Sequence, residues 1–235
     1  MNVILVGNPN VGKSVIFNAL TGSYVTVSNY PGTTVDISKG IGRFGNKKLH
    51  IIDTPGINSL VVHSEDEKVT KDILSKSDIA CVIQVADSKN LKRSLLLTLE
   101  LLELKLPLVL NLNMSDEAKE RGIIINTKRL SEKLGIDIIE TVAITKEGIP
   151  RLKEAVLKAK TPELRFMEEA KISDDKILLL KRRSRIVEDL VKDVLHVPNV
   201  SEKNVSRVIG RLTSRPISGI PILLLILGAM YLFVG

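Results

Sequence analysis

Short apolar segments alternate with amphipathic segments along the first two thirds of the chain. The apolar segments predict six strands, at residues 2–6, 35–44, 48–52, 79–86, 106–112 and 136–142. Apolar residues at helical spacing predict five helices, at residues 12–20, 65–74, 90–104, 127–134 and 149–160. Because strands that alternate with helices form parallel pairs covered by those helices, the pattern predicts an α/β fold with a mainly parallel six-stranded sheet.

The pattern changes after residue 162. Proline restricts the residue before it, so Thr161 and Pro162 mark a domain boundary. Strand signals are absent from residues 163–212 and charge rises there, which predicts a small all-α subdomain at residues 163–214. Its basic run at residues 181–185 is typical of a solvated helix face, and contact with anionic lipid is the alternative.

The end of the sequence is apolar. Residues 217–235 contain no charged side chain, so we expect residues 215–235 to form a C-terminal apolar helix, the start of a transmembrane span. A buried terminal helix is the alternative. The positive-inside tendency places the preceding domains in the cytosol, because the apolar run follows four basic residues, Lys203, Arg207, Arg211 and Arg215.

Composition narrows the classes of partner. The chain has 235 residues, 44% of them hydrophobic, and a formal net charge of +7, which fits one core of ordinary size and a bound anion or an anionic membrane surface. Aromatic residues make up 3% and Trp is absent, so stacking platforms for single-stranded nucleic acid are few and we expect no nucleic-acid partner. The single cysteine, Cys81, excludes an internal disulfide and lies in an apolar strand, which predicts a buried thiol.

Residues 7–14 match the pattern G-x-x-x-x-G-K-[ST] between a predicted strand and a predicted helix, which is the context of a P-loop. Such a loop wraps phosphate with backbone N–H groups at a helix N-terminus. Lys13 is expected to neutralise the β- and γ-phosphates, and the Ser14 hydroxyl to ligate Mg²⁺. The candidate nucleotide-binding residues in this segment are Gly7, Asn8, Pro9, Asn10, Val11, Gly12, Lys13, Ser14 and Val15.

Two further segments predict contacts with Mg²⁺ and the γ-phosphate. Asp53 and Gly56 belong to a D-x-x-G motif directly after an apolar strand, where Asp53 can hold Mg²⁺ through water and the Gly56 amide can meet the γ-phosphate. Thr33 and Thr34 lie between the first helix and the second strand, where a switch loop supplies a second hydroxyl to Mg²⁺. A plain turn is the alternative for this loop.

The base-reading motif follows the strand that ends at residue 112. Asn113 and Asp116 supply N-x-x-D, in which a carboxylate accepts two hydrogen bonds from the N1–H and 2-amino edge of guanine. Adenine lacks donors in that arrangement, so this third motif in order predicts GTP rather than ATP. Val142 and Ala143 occupy the place of the loop that supports the base, and they are the weakest match.

The sequence lacks two groups that assist GTP hydrolysis in other GTPases, a water-orienting glutamine after the D-x-x-G motif and an arginine in the switch loop. Ile57 follows the D-x-x-G motif, in the slot that holds the water-orienting glutamine in Ras, and isoleucine cannot do this. The switch loop contains no arginine either. We therefore expect slow hydrolysis, or hydrolysis assisted by another charge.

The motifs resemble the N-terminal GTPase domain of the ferrous-iron transport protein FeoB. The resemblance is carried by GNPNVGKSVIFNALTG, NYPGTTVD, DTPGINSL followed by SEDE, the long run from VADSKNLKRS to LNMSDEAKERGI, and KEGI. It implies a Ras-like GTPase domain at residues 1–162, a helical GDI-like subdomain at 163–214, and the first span of a polytopic membrane domain from 215. It also implies that GTP powers or gates ferrous-iron uptake at the cytoplasmic face of the cell membrane. The implied partners are GTP and GDP, the membrane, the remaining transporter spans and a homo-oligomer.

The resemblance implies roles for single residues where the motifs match. Thr34 matches the switch threonine of the family, so Ser14, Thr34 and Asp53 form the expected Mg²⁺ set. Asn10 matches the P-loop asparagine that ligates K⁺ in potassium-activated relatives, where the ion stands in for an arginine finger. The expected catalytic group is therefore Asn10, Lys13, Thr34 and Gly56. Val142 departs from the family, which usually has serine there, and this weakens the expected support of guanine but not the identity of the base.

Two other classes compete with this interpretation. A soluble ribosome-assembly GTPase similar to Era shares several motifs, but it would need a C-terminal RNA-binding module with glycine-rich loops or stacking aromatics. Residues 163–235 show none of these features. A binding switch without hydrolysis is the other alternative, and turnover measured with and without K⁺ distinguishes it.

Overall fold

The computed structural model describes residues 1–162, 176–197 and 216–234. The chain divides into two compact units, Met1–Val197 and Pro198–Gly235. Within the described residues the second unit contains one helix, α8, at Pro216–Val234. No helix among the described residues was found to combine the length and apolarity needed to cross a membrane. The transmembrane start predicted at residues 215–235 stays a prediction.

A seven-stranded sheet forms the centre of the first unit, in the order β2-β3-β4-β1-β5-β6-β8. Four of its strand pairs, β1 with β4, β1 with β5, β5 with β6 and β6 with β8, are parallel, whereas β2–β3 and β3–β4 are antiparallel. The strands of this sheet are β1 (Asn2–Gly7), β2 (Thr21–Asn29), β3 (Asp36–Phe44), β4 (Lys47–Asp53), β5 (Ile79–Asp87), β6 (Leu108–Asn113) and β8 (Asp137–Glu140).

Helices cover both faces of the sheet because its central strands carry apolar residues on both faces. In β1, Val3 and Leu5 pack into one cluster, whereas Ile4 and Val6 pack into the other. The first cluster is closed by α1 (Lys13–Leu20) and α6 (Ile149–Lys158). The second is closed by α2 (Glu65–Lys76), α3 (Leu91–Glu103), α5 (Thr127–Leu134) and α7 (Lys176–Val194), while the short α4 (Ser115–Glu120) follows β6.

The prediction of a six-stranded sheet is wrong by one strand, because β2 occupies residues expected to lie outside the strands. This strand lies at the edge of the sheet and pairs only with β3. Val25 and Val27 are 43% and 62% exposed, so the strand lacks the buried face that leaves a clear pattern in the sequence. The mainly parallel arrangement itself is as predicted.

Helix α7 packs against the helices of the second face through Val187, Leu190 and Val194. The following two residues form β9 (Leu195–His196), which pairs antiparallel with β7 (Ile124–Ile125). The described part of the region predicted as all-α thus includes a short strand. Most of residues 163–214 lies outside the described residues, and the predicted domain limits stay predictions.

The basic run at residues 181–185 lies in α7 and is not uniformly solvated. Lys181 and Arg185 are exposed, as predicted for a helix face. The Arg183 side chain is only 12% exposed and forms ion pairs with Glu100 and Glu103 of α3. For Arg183 the expectation of a solvated side chain is wrong, because the long side chain reaches back onto the G-domain helix.

Candidate functional site

The three predicted motifs meet at one edge of the sheet. The P-loop joins β1 to α1, the D-x-x-G motif begins at the last residue of β4, and N-x-x-D begins at the last residue of β6. Since β1 pairs in parallel with β4 and β5, and β5 with β6, the carboxyl ends of these strands lie side by side. This is the edge at which open α/β sheets bind ligands.

Glycine allows the P-loop to approach the neighbouring segments closely. Gly12 has a φ of +82° and precedes α1, whose first residue is Lys13. A Cβ atom on Gly12 would lie 2.4 Å from Nδ2 of Asn113, and one on Gly7 would lie 2.3 Å from the Val85 carbonyl oxygen. Because Gly12 has no side chain with which to cap α1, the first amides of the helix face the loop as anion donors.

Lys13, Ser14 and Asp53 form one polar cluster. Lys13 Nζ donates hydrogen bonds to Asp53 Oδ1 and to the Thr54 carbonyl, and the Lys13 and Asp53 side chains are nearly buried. Ser14 Oγ donates to Asp53 Oδ2 across 3.2 Å. The structure therefore brings together the lysine predicted to bind phosphate and two of the three predicted Mg²⁺ ligands.

The donor set fits Mg²⁺. Neighbouring oxygens of an octahedral site lie about 2.9 Å apart when each is ~2.05 Å from the ion, close to the Ser14–Asp53 separation of 3.2 Å. The described residues contain no group of three or more His, Cys, Asp and Glu side chains able to hold a metal. Mg²⁺ is commonly held by one or two carboxylates together with substrate phosphates, so one carboxylate and one hydroxyl suffice here.

Thr34 does not join this cluster. It is exposed, and its hydroxyl donates a hydrogen bond to Glu65 Oε2 at 3.3 Å. The neighbouring Tyr30 donates to Asp72 of α2, and this hydrogen bond raises the pKa of the Tyr30 hydroxyl. The side chains of Thr34 and Tyr30 are thus bonded to residues of α2 and not to the predicted Mg²⁺ ligands.

The Asn113 side chain connects the P-loop to the loop predicted to support the base. Its Nδ2 donates to the Val11 carbonyl at 3.0 Å, and its Oδ1 accepts from the Ala143 amide at 3.1 Å. Oδ1 also accepts from the Thr141 hydroxyl at 3.2 Å. Asn113 is buried, so these bonds hold the two loops in a defined relation.

The remaining residues of the predicted base site follow two strands, Asp116 after β6, and Val142 and Ala143 after β8. Met114 has a φ of +59°, which turns the chain into α4 so that Asp116 lies exposed in its first turn. Val142 is buried and its amide donates to the Glu147 carbonyl at 3.1 Å. Ala143, not Val142, supplies the bond to Asn113.

Ile57 is part of the core and not of the phosphate site. Its side chain is 2% exposed, and its amide donates to the Gly7 carbonyl at 3.0 Å. Asn8 Nδ2 donates to the Ile57 carbonyl and to Asn58 Oδ1, both at 3.2 Å. The residue after the D-x-x-G motif is therefore fixed against the P-loop on both sides of its backbone.

The P-loop asparagine expected to ligate K⁺ is exposed. Asn10 has a φ of +65°, a conformation in which Asn is several-fold enriched among non-glycine residues. This backbone offers an alternative reason for an asparagine there, so the K⁺ role stays a prediction. Pro9 lies beside it against Gly56, where an added Cβ would be 3.0 Å from Pro9 Cα.

Sequence reasoning missed the polar residues that support the site. Thr141 is buried and bonds to Asn111 as well as to Asn113. Thr54 is buried and its hydroxyl donates to the Leu5 carbonyl at 2.8 Å. Asn111 could have indicated these contacts from the sequence, because it is a polar residue within an apolar strand and a buried side-chain amide needs hydrogen-bond partners.

A family profile described as "Ferrous iron transport protein B" matches residues 1–156. The chain is similar to the Fe(2+) transporter FeoB of Campylobacter jejuni, with 38% identity over 157 residues, 67% of this chain and 26% of that protein. It is similar to the Fe(2+) transporter FeoB of Helicobacter pylori strain J99, with 44% identity over 145 residues, 62% of this chain and 23% of that protein. The matched part spans about a quarter of the length of these relatives.

Solved structures share the fold. The cytosolic domain of Legionella pneumophila FeoB matches with a TM-score of 0.76 and 30% identity, covering 83% of this chain and 100% of that chain. The Thermotoga maritima FeoB cytosolic domain matches in its GDP form I and its GMPPNP form. Each has a TM-score of 0.76 and 31% identity, and they cover 83% of this chain and 98% and 99% of those chains. The predicted α/β fold is confirmed by these matches.

Proposed function

The chain belongs to the ferrous iron transport protein B family through residues 1–156, and from that premise we propose that it binds GTP and GDP at the P-loop edge of its sheet and hydrolyses GTP. The resemblance drawn from the motifs is thereby confirmed at the level of the family. An Era-like ribosome-assembly GTPase is not favoured.

The observation that carries this proposal is the side chain of Asn113. It bonds the P-loop at the Val11 carbonyl and the base-supporting loop at the Ala143 amide. The proposed phosphate-binding and base-binding segments are therefore joined by one side chain. This link favours one ligand that spans both segments, a guanine nucleotide, with Asp116 accepting from the edge of the base.

Nucleotide binding requires an exchange of partners at Lys13. Its ammonium group, bonded to Asp53 and Thr54, would turn to the β- and γ-phosphates, while the α1 amides bind phosphate oxygens. Asp53 and Ser14 would then hold Mg²⁺, which when bound neutralises charge between the phosphates. Thr34 would complete this set after leaving Glu65, and the Gly56 amide would meet the γ-phosphate.

We further propose that hydrolysis is slow and K⁺-stimulated. The Ile57 side chain lies in the core, so it cannot orient a water at the γ-phosphate. Asn10 is exposed within the loop that wraps the phosphates, and its side-chain carbonyl oxygen is a hard ligand of the kind K⁺ needs. An ion held there would supply positive charge in place of an arginine finger.

The cellular role is a proposal at the level of the whole transporter. The names of the relatives describe Fe(2+) transporters, of which this chain matches about a quarter. We propose that GTP powers or gates ferrous-iron uptake from the cytoplasmic face of the cell membrane. The remaining transporter spans, the membrane and a homo-oligomer are the proposed partners, and the proposed domain limits are 1–162, 163–214 and 215–235.

Competition titration tests the nucleotide proposal. A fluorescent GDP analogue would be displaced from the unmodified protein by GTP and GDP at micromolar or lower concentrations, and not by ATP or ADP at a hundredfold excess. Phosphate release from GTP is then followed with Mg²⁺ present. Equal competition by ATP would contradict guanine specificity. Binding without any phosphate release would instead favour the non-hydrolysing switch.

A further inference from the structure

A buried carboxylate outside the nucleotide site connects the D-x-x-G segment to α7. Glu100 lies in α3 with its side chain 7% exposed. A buried charge requires hydrogen-bonded partners, and here they come from two different parts of the chain. The Ser59 hydroxyl lies 3.0 Å from both carboxylate oxygens, and the Leu60 amide donates to Oε2.

The third partner is Arg183 of α7. Its Nη1 donates to Glu100 Oε1 at 2.8 Å, while its Nε and Nη2 donate to Glu103 at 3.0 and 2.7 Å. The planar guanidinium can hold two carboxylates at once in this fixed geometry, which lysine cannot reproduce. Arg183 lies beyond residues 1–156, the part of the chain matched by the family profile.

The segment from Ile57 to Leu60 is short and is hydrogen-bonded at both ends. Ile57 is bonded to Gly7 and Asn8 of the P-loop, and Leu60, three residues later, is bonded to Glu100. Gly56, whose amide is the proposed γ-phosphate contact, directly precedes Ile57. Only two residues separate Ile57 from Leu60, so a change in how firmly Glu100 holds Ser59 and Leu60 would act on the bonds of Ile57 to the P-loop, and through them on Gly56.

We propose that Glu100 is a positioning residue for GTP hydrolysis, and that Arg183 sets how it holds the Ser59–Leu60 segment. This inference rests on the proposed GTPase function and adds the residues through which α7 acts on it. Glu100 and Arg183 touch no nucleotide in this scheme. They act by limiting the conformations in which the Gly56 amide meets a γ-phosphate.

Arg183→Met is the principal test, in the full 235-residue chain. We expect kcat for GTP to fall about three- to tenfold, because residues that couple sites typically change such equilibria by this order. Affinity for a non-hydrolysable GTP analogue should fall relative to GDP. GDP affinity should stay within about twofold, since GDP lacks the γ-phosphate that Gly56 contacts.

Lys92→Met is the matched control. Lys92 forms another α3–α7 ion pair, with Glu188 at 2.9 Å, but its bond is not part of the Ser59–Leu60 network. The Lys92→Met substitution removes one positive charge from the same pair of helices, as Arg183→Met does. Loss of α3–α7 ion pairing alone would therefore change kcat in both variants, whereas the proposal predicts an effect on kcat for Arg183→Met only.

A loop-side variant keeps the test valid if Arg183→Met unfolds when Glu100 loses its charged partner. Ser59→Ala removes one hydroxyl donor from Glu100 without removing a charge. It should lower kcat in the same direction, and the double variant Ser59→Ala/Arg183→Met should show less than the product of the two single effects. Arg183→Lys, which retains the charge but not the two-carboxylate geometry, should fall between the unmodified protein and Arg183→Met.

The outcomes separate the two proposals. If the unmodified protein binds no GDP, the proposed function fails. If it binds GDP and hydrolyses GTP, but Arg183→Met and Lys92→Met change kcat to the same extent, the positioning role is refuted. The role is also refuted if folded Ser59→Ala keeps the kcat of the unmodified protein, or if the effects of Ser59→Ala and Arg183→Met multiply without interaction.

Discussion

Gly12→Ala tests whether Asn113 holds the phosphate-binding and base-binding loops together. An alanine at the Gly12 φ of +82° costs about 1–2 kcal/mol. Its Cβ would lie 2.4 Å from Asn113 Nδ2, so the Asn113 side chain must also move. That movement breaks the bonds to Val11 and Ala143, each worth about 1 kcal/mol. The expected loss of unfolding free energy is therefore about 3–4 kcal/mol.

Gly45→Ala provides the control for the backbone part of this cost. Gly45 also has a positive φ, of +55°, but an added Cβ would lie 3.4 Å from Leu157 Cδ1, an ordinary contact. This variant should lose only about 1–2 kcal/mol in urea denaturation followed by circular dichroism. The difference of about 2 kcal/mol is the part of the loss due to the two Asn113 bonds, and GDP should also bind more weakly to Gly12→Ala than to Gly45→Ala. Equal stability losses in the two variants, with equal GDP affinities, would refute the linking role of Asn113.

Three further predictions concern the base, the ion and the core. Asp116→Asn should weaken GTP and GDP by about 2–3 kcal/mol in competition titrations, while xanthine nucleotides, with an oxygen in place of the guanine amine, gain affinity. Hydrolysis should be faster in KCl than in NaCl at equal ionic strength. Asn10→Ala and Asn10→Gly should both abolish this difference between the two salts. The glycine variant controls for backbone strain, because glycine accepts the φ of +65° that Asn10 adopts. Equal hydrolysis rates of the unmodified protein in KCl and NaCl would contradict the K⁺ role. Burial raises the pKa of the Cys81 thiol to about 12, against about 8.5 in an unfolded chain, so the stability that Cys81 contributes is lost as pH rises above about 8.5. The unfolding free energy should then fall by up to about 1.4 kcal/mol per pH unit more than that of Cys81→Ala, and identical pH profiles would exclude this effect.

The phosphate and base motifs could be predicted because their chemistry needs particular residue types at fixed spacing. Lys13, Ser14 and Asp53 were predicted from the order of motifs along predicted strands, and the structure brings them into one cluster. Thr34 was predicted from the same logic, but it is bonded to Glu65 here. The motif order identifies the groups that a nucleotide would use, but it does not identify their partners within the protein, such as Glu65 for Thr34.

The sequence alone could not predict polar contacts between residues far apart in the chain. Glu100 could have been noticed as a carboxylate within a leucine-rich helix, since such a charge is costly to bury unpaired. Its partner Arg183 lies 83 residues away, in a run of basic residues that looks like a solvated face. No local pattern identifies which of those basic side chains turns inward, because that depends on how α7 packs against α3.

The hairpin of β3 and β4 divides the chain into parts that should differ in their tolerance of insertions. Its register places Ser38 opposite Asp53 and is fixed by the buried side chains of Ile37, Leu49 and Ile51. One residue added within residues 37–44 or 47–52 would turn those side chains toward solvent and displace the Asp53 carboxylate from Lys13. Residues added between 30 and 35 would lengthen a loop and leave the carboxylate in place. Within residues 30–52, length variation among natural or engineered homologues should therefore be confined to the loop before Asp36 and to the turn at Gly45 and Asn46.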